Sequence, residues 1–191
     1  MSSLSDLGDA DRVRSISRIQ DSYFSDVEIE DFLQEARNTA ETLFSVPEID
    51  EFLVGFDEKD SQNSLKRRYT LFFIAYDVDE IRVFVNEEQL DSADFSYDDE
   101  NREIIIDDGV SLSYRDWVRI YYKPKIFDDF VNFHAVFSAL SSLPSSMKQN
   151  YMTPSFAQNK IDMIQRMIQK KPRIAHTDEH SSSANHMIFW R

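Results

Sequence analysis

Helical periodicity at both ends of the chain, around a middle of β-branched and aromatic runs, predicts an α+β fold: a small helical bundle with an inserted antiparallel β module. The third observation is spacing. The strand-like runs recur about every ten residues, too closely for the crossovers that parallel pairing requires.

Residues 1–22 are rich in Ser and Asp and carry Val13, Ile16 and Ile19 at spacing three, which reads as an arm with a short or partner-dependent helix. Ser25 and Glu28 form a capping box, after which Ile29, Phe32, Leu33, Ala36, Ala40 and Leu43 share one helical face. Ser45, Pro47 and Glu48 repeat the start signal, so a second helix is expected over Val46 to Val54, stopped by Gly55. Asp57 to Ser64 is a polar loop. Strands are expected at Thr70–Ala75, Ile81–Val85, Phe95–Tyr97, Glu103–Ile106 and Trp117–Tyr122, separated by turns such as Asn86–Gln89, Asp98–Asn101 and Asp107–Gly109.

After Pro124, Phe127, Phe130, Phe133, Phe137 and Leu140 restore the helical period, with Asp128 and Asp129 in the first turn and Pro144 as the stop. Thr153 and Pro154 open a last helix carrying Phe156, Ile161, Ile164 and Ile168. The expected organisation is therefore an arm and helices over 1–66, the β module over 67–124, further helices over 125–172, and an extended tail over 173–191. Ile29, Phe32, Leu33, Ala36, Phe130, Phe133, Phe137, Ile161 and Ile164 form the expected helical core.

Composition removes whole classes of function. With 41% apolar and 13% aromatic residues among 191, the chain can bury a sizeable core. It has no Cys, which rules out disulfides, thiolate metal sites and Cys nucleophiles. Only 3 Gly occur, so no phosphate-cradling loop or dinucleotide fingerprint can be written. No apolar run reaches the roughly 20 residues of a bilayer span, and the start lacks the pattern of a signal peptide, so a soluble, unsignalled protein is expected. The formal charge of −14 disfavours general nucleic-acid binding. That charge is unevenly spread: 13 acids face two Arg from Asp77 to Asp108, whereas seven Lys and Arg outnumber three acids from Met147 to Arg191.

Candidate chemistry is sparse. Asp94, Ser96 and Asp98 alternate like calcium-loop ligands, but the required Gly is absent and Ile105 stands where a bidentate Glu belongs. His176, His180 and His186 lie in the tail without a carboxylate or Cys at zinc-site spacing, and His134 on the Phe-rich stretch reads as a core or interface side chain. No Ser elbow flanked by Gly exists. The reading is thus no enzyme, no cofactor and no metal, with the protein interface as the functional site. Its candidate residues are Met187, Ile188, Phe189, Trp190 and Arg191, large apolar groups and an Arg after a polar linker, the residue types of an anchor peptide. The alternative is a soluble ligand- or carbohydrate-binding module using Tyr97, Trp117, Tyr121 and Tyr122, for which the exposure of Trp117 is the discriminator.

The stretch from Phe24 through Ser25, Asp26, Val27, Glu28, Ile29, Glu30, Asp31, Phe32, Leu33, Gln34 and Glu35 to Ala36 resembles the opening helix of head–tail connector (adaptor) proteins of tailed viruses. Ile81–Asn86, Asp94–Tyr97, Ile104–Ile106 and Asp116–Tyr122 are similar to a small β module common in virion structural proteins, with Glu87 and Arg115 standing where Gly is usual in that rhythm. The resemblance implies a ring of twelve copies beneath the portal, with a compact helical body and a tail reaching toward the portal. It implies as partners the portal protein, neighbouring copies and the next tail or neck protein, with the genome passing through without sequence-specific binding and no membrane. It places the protein at the virion neck after assembly in the host cytoplasm, with interface roles only.

Overall fold

The computed structural model describes residues 4–20, 22–44, 48–59, 62–144 and 153–171. Four helices and seven strands in two antiparallel sheets make an α+β fold. The elements are α1 (Ala10–Ser17), α2 (Asp26–Leu43), β1 (Glu48–Leu53), β2 (Arg68–Thr70), β3 (Arg82–Val85), β4 (Glu88–Gln89), β5 (Phe95–Asp98), β6 (Glu103–Ile106), β7 (Trp117–Tyr122), α3 (Lys125–Ser142) and α4 (Pro154–Gln169).

The helical core contains the buried Ile29, Leu33, Ala36, Phe130, Ile161 and Ile164, with Phe32, Phe133 and Phe137 packed against it partly buried. The capping box forms: Ser25 Oγ accepts from Glu28 N–H, and the Glu28 carboxylate accepts from Ser25 N–H at 2.8 Å. Thr153 occupies the N-cap of α4 with Pro154 following, but its side chain makes no capping bond.

The expected N-terminal arm is instead part of that core. Leu4, Leu7, Val13 and Ile19 are buried, and polar groups of α2 and α3 bind the segment in place. Gly8 N–H donates to Asp128 Oδ1 at 2.7 Å, Asp9 N–H to Asn132 Oδ1 at 3.1 Å, and Arg37 Nε to the Leu7 carbonyl at 2.7 Å. Arg12 closes an ion pair with Asp128. Gly8 sits at φ +82°, where an added Cβ would lie 2.6 Å from Leu33 Cδ2 and 2.7 Å from Val131 Cγ1, so the close approach requires glycine. Sequence periodicity missed this because side chains 30 to 123 positions away satisfy the segment's backbone.

The helix expected over Val46 to Val54 is also overturned. Within its described part, Glu48–Leu53 is strand β1, paired along its whole length with β7 from Glu48 opposite Tyr122 to Leu53 opposite Trp117. Pairing with a long apolar strand overrides the local start signal. The sheet therefore recruits residues assigned by sequence to the helical body. The expected single meander divides into two sheets, β1-β7-β3-β4 and β2-β6-β5, which share one core that includes Tyr69, Val83, Val85, Ile104, Ile106, Val118, Ile120 and Tyr122.

The strand expected over Thr70–Ala75 ends at Thr70. Beyond it Leu71, Phe73 and Ala75 are still buried in alternation, but two of the backbone donors go to tyrosine hydroxyls: Phe73 N–H to Tyr122 Oη and Ala75 N–H to Tyr97 Oη, both at 3.1 Å. The β3–β4 turn places Asn86 at φ +48° and Glu87 at φ +76°, and Arg115 stands at φ +70°. The turn thus forms without the usual glycine, held by Asn86, which donates to Asp116 Oδ1 at 2.8 Å and accepts from Trp117 N–H at 2.9 Å.

Two stability outcomes follow from this geometry. Asp128→Ala removes the acceptor for Gly8 and the partner of Arg12 and should lower unfolding free energy by about 2 kcal/mol in urea titration. Glu87→Gly relieves a left-handed residue and should raise it by about 1 kcal/mol.

Candidate interaction surface

β7 alternates strictly. Val118, Ile120 and Tyr122 face the core, while Trp117, Arg119 and Tyr121 face outward and are half-buried. Register sets the rest of the outward face. Ile49 and Leu53 lie opposite Tyr121 and Trp117 on β1, and Arg82 and Phe84 lie opposite Tyr121 and Arg119 on β3. Phe84 meets Tyr121 edge-on at a centroid distance of 5.2 Å. Ile49 and Leu53 are 42% and 41% exposed, and none of Ile49, Leu53, Phe84, Trp117 and Tyr121 belongs to either core cluster. At the centre, Arg119 Nε lies 2.9 Å from Glu51 Oε1, an ion pair that neutralises the middle of the face. The result is a largely apolar sheet face outside both cores, with Ile49 and Leu53 exposed and Phe84, Trp117 and Tyr121 half-buried.

A second apolar surface runs along α4. Ala157, Ile161 and Ile164 fill the helical core, whereas Phe156, Met163 and Met167 are exposed along one flank, the two Met at 47% and 45%. Asn159, Asp162 and Arg166 flank a shallow hollow beside the two Met.

Asp50, Tyr122, Lys123 and Lys171 are committed to the architecture. Asp50 Oδ2 accepts from Tyr122 O–H at 2.9 Å and from Phe72 N–H at 2.8 Å, and Asp50 Oδ1 lies 2.7 Å from Lys171 Nζ. Lys171 also donates to Glu48 Oε1 and to the Ile49 carbonyl, both at 2.8 Å, so the end of α4 is fastened to the start of β1. Burial, followed by the charge of Asp50, pushes the Tyr122 phenol far above its ordinary range, and burial raises Tyr69 to about 12. Lys123 Nζ is enclosed by Asp6 at 2.8 Å and Glu80 at 3.0 Å. Burial alone would lower its pKa, but the hydrogen bonds from the two carboxylates outweigh it and the ammonium is retained. These are satisfied structural pairs.

Asp98, one of the residues read as calcium-like, uses its carboxylate to accept from the N–H groups of Glu100 and Asn101 and from Asn101 Nδ2. Among the described residues no group of three or more His, Asp or Glu is arranged to hold a metal, and no helix is long and apolar enough to cross a membrane. Met187, Ile188, Phe189, Trp190 and Arg191, together with His176, His180 and His186, lie outside the described residues.

Of the four aromatics proposed for ligand binding, only Trp117 and Tyr121 share a face: Tyr122 is buried in the core and Tyr97 belongs to the other sheet. Ile49, Leu53, Phe84, Met163 and Met167 were not singled out from sequence as surface residues. The signal available was β7 itself, Trp-Val-Arg-Ile-Tyr-Tyr, apolar on both faces in the manner of a strand covered on both sides. Compared with known proteins, the chain matches no family model and no curated sequence.

His134 on α3 carries a buried Nδ1 with no hydrogen-bond partner among the described residues. Burial lowers its pKa below the ordinary 6.5, partly countered by Glu35. The unfolded chain therefore takes up this proton at higher pH than the folded one, and its contribution to stability disappears as pH falls through about 6.5 and below. The drop in melting temperature between about pH 7.5 and pH 5.5 should be smaller in His134→Leu than in the parent, with calorimetry as the measurement.

Proposed function

We propose that this chain is a virion structural protein, a head–tail connector that forms a ring between the portal and the next tail component and reaches the portal with its last residues. One observation supports the reading above the rest: a single chain carries two unlike apolar surfaces on separate elements, the outward sheet face and the Met163–Met167 side of α4. Unlike patches that meet head to tail generate a closed ring when the rotation closes, whereas a two-fold dimer needs only one self-complementary patch. The settled buried charges agree with a role in contacts and not in catalysis. The ligand-module alternative has one observation in its favour, the shared outward face of Trp117 and Tyr121.

Native mass measurement of the full chain is expected to show a closed ring. Met163→Asp with Met167→Asp, both at exposed positions, should reduce it to monomers with an unchanged circular dichroism spectrum. Removing residues 187–191 should leave the ring intact and weaken its capture of a portal protein. A chain that stays monomeric alone and beside portal protein would end the connector reading.

A further inference from the structure

We infer that the outward face of the four-stranded sheet is the seat of this chain's own residues Met187–Arg191, bound in the same molecule. The face is built as if covered. Its central strand presents Trp117 and Tyr121 outward, flanked by Phe84 and by Ile49 and Leu53, which stand exposed, and none of the five belongs to either core cluster. The remaining chain begins beside it. Lys171 lies two residues past the end of α4 and is fastened to Glu48, Asp50 and the Ile49 carbonyl, so residues 172–191 start at the edge strand of this sheet.

The length also fits. A coil from Lys171 to Ile188 has a root-mean-square span of roughly 20–25 Å, and the six residues of β1 extend about 20 Å. A tether whose span matches the distance to its target holds the segment at millimolar effective concentration. The segment supplies the complementary chemistry, with Ile188, Phe189 and Trp190 for the aliphatic and aromatic groups of the face and Arg191 for the acidic side of the Arg119–Glu51 pair at its centre. Residues 172–191 carry Arg173 and Arg191 against Asp178 and Glu179, so no net charge opposes approach to an acidic protein. Seated there, the segment covers the face in the free chain. A neighbour that took the face would release the segment.

The inference concerns the single chain and stands whether or not the connector reading holds. Trp117→Phe leaves Trp190 as the sole Trp, and its emission is read with acrylamide as quencher. Trp190 is expected to be protected several-fold relative to the same protein carrying Leu53→Glu, a change at an exposed position. In the Cys-free background, Leu53→Cys with Met187→Cys is expected to oxidise to a disulfide within one chain, seen as a monomer on a non-reducing denaturing gel. Equal quenching with and without Leu53→Glu, whether Trp190 is open in both or protected in both, overturns the seat. A disulfide between chains also overturns it, in favour of a second copy as occupant.

Discussion

The junction between β7 and α3 fixes the relation of everything else. Tyr122 and Lys123 are consecutive, and each anchors a different part of the chain: Tyr122 binds Asp50, which holds Lys171 at the end of α4, while Lys123 holds Asp6 and Glu80. Only Lys123 and Pro124 separate the strand from the helix, and the backbone there is paired with Ile74–Tyr76 through Tyr76 N–H to the Lys123 carbonyl at 2.7 Å and Lys125 N–H to the Ile74 carbonyl at 2.8 Å. Ile126 and Ile168 pack against both cores at once. A buried ammonium is tolerated only with partners at close range, so rotating the β module against the helices would strand Lys123 and Lys171 together.

This explains why two apolar surfaces can be held in a constant mutual position by so small a protein. The sheet face is the reverse side of the strand that ends in Tyr122. The α4 surface is a flank of the helix that Lys171 follows. Each is therefore one step from a buried charge pair. The buried polar groups Asp50, Lys123, Asp128 and Arg37, with Glu80 beside Lys123, are occupied in joining segments far apart in the chain.

The helical half was legible because its information is local. The capping box at Ser25, the 3.6-residue period from Ile29 to Leu43 and the Phe series of α3 identify faces without reference to anything distant. The same local rules failed at Glu48–Leu53, where a proline-led start signal competed with a full-length pairing to β7 that no window of the sequence contains. They failed again at the N-terminal segment, whose burial rests on Asp128 and Asn132. The Asn86–Glu87 turn shows the converse: the strand pattern predicted a turn correctly even though the residue types are unfavourable for it, because the flanking β3 and β7 ladder with Asn86 bridging to Asp116 and Trp117 holds the backbone at positive φ.

The sequence by itself determined the α+β class, the alternation of the strands, the apolar faces of α2, α3 and α4, and the absence of Cys and Gly chemistry, since each depends on residue type and short-range period. Tertiary structure alone decided that β1 is a strand, that the β segment forms two sheets around one core, that residues 4–20 lie within the helical body, and which apolar side chains remain outside. Burial is a property of what packs against a residue, and for Ile49, Leu53, Trp117 and Tyr121 that depends on partners brought together only when the chain closes on itself.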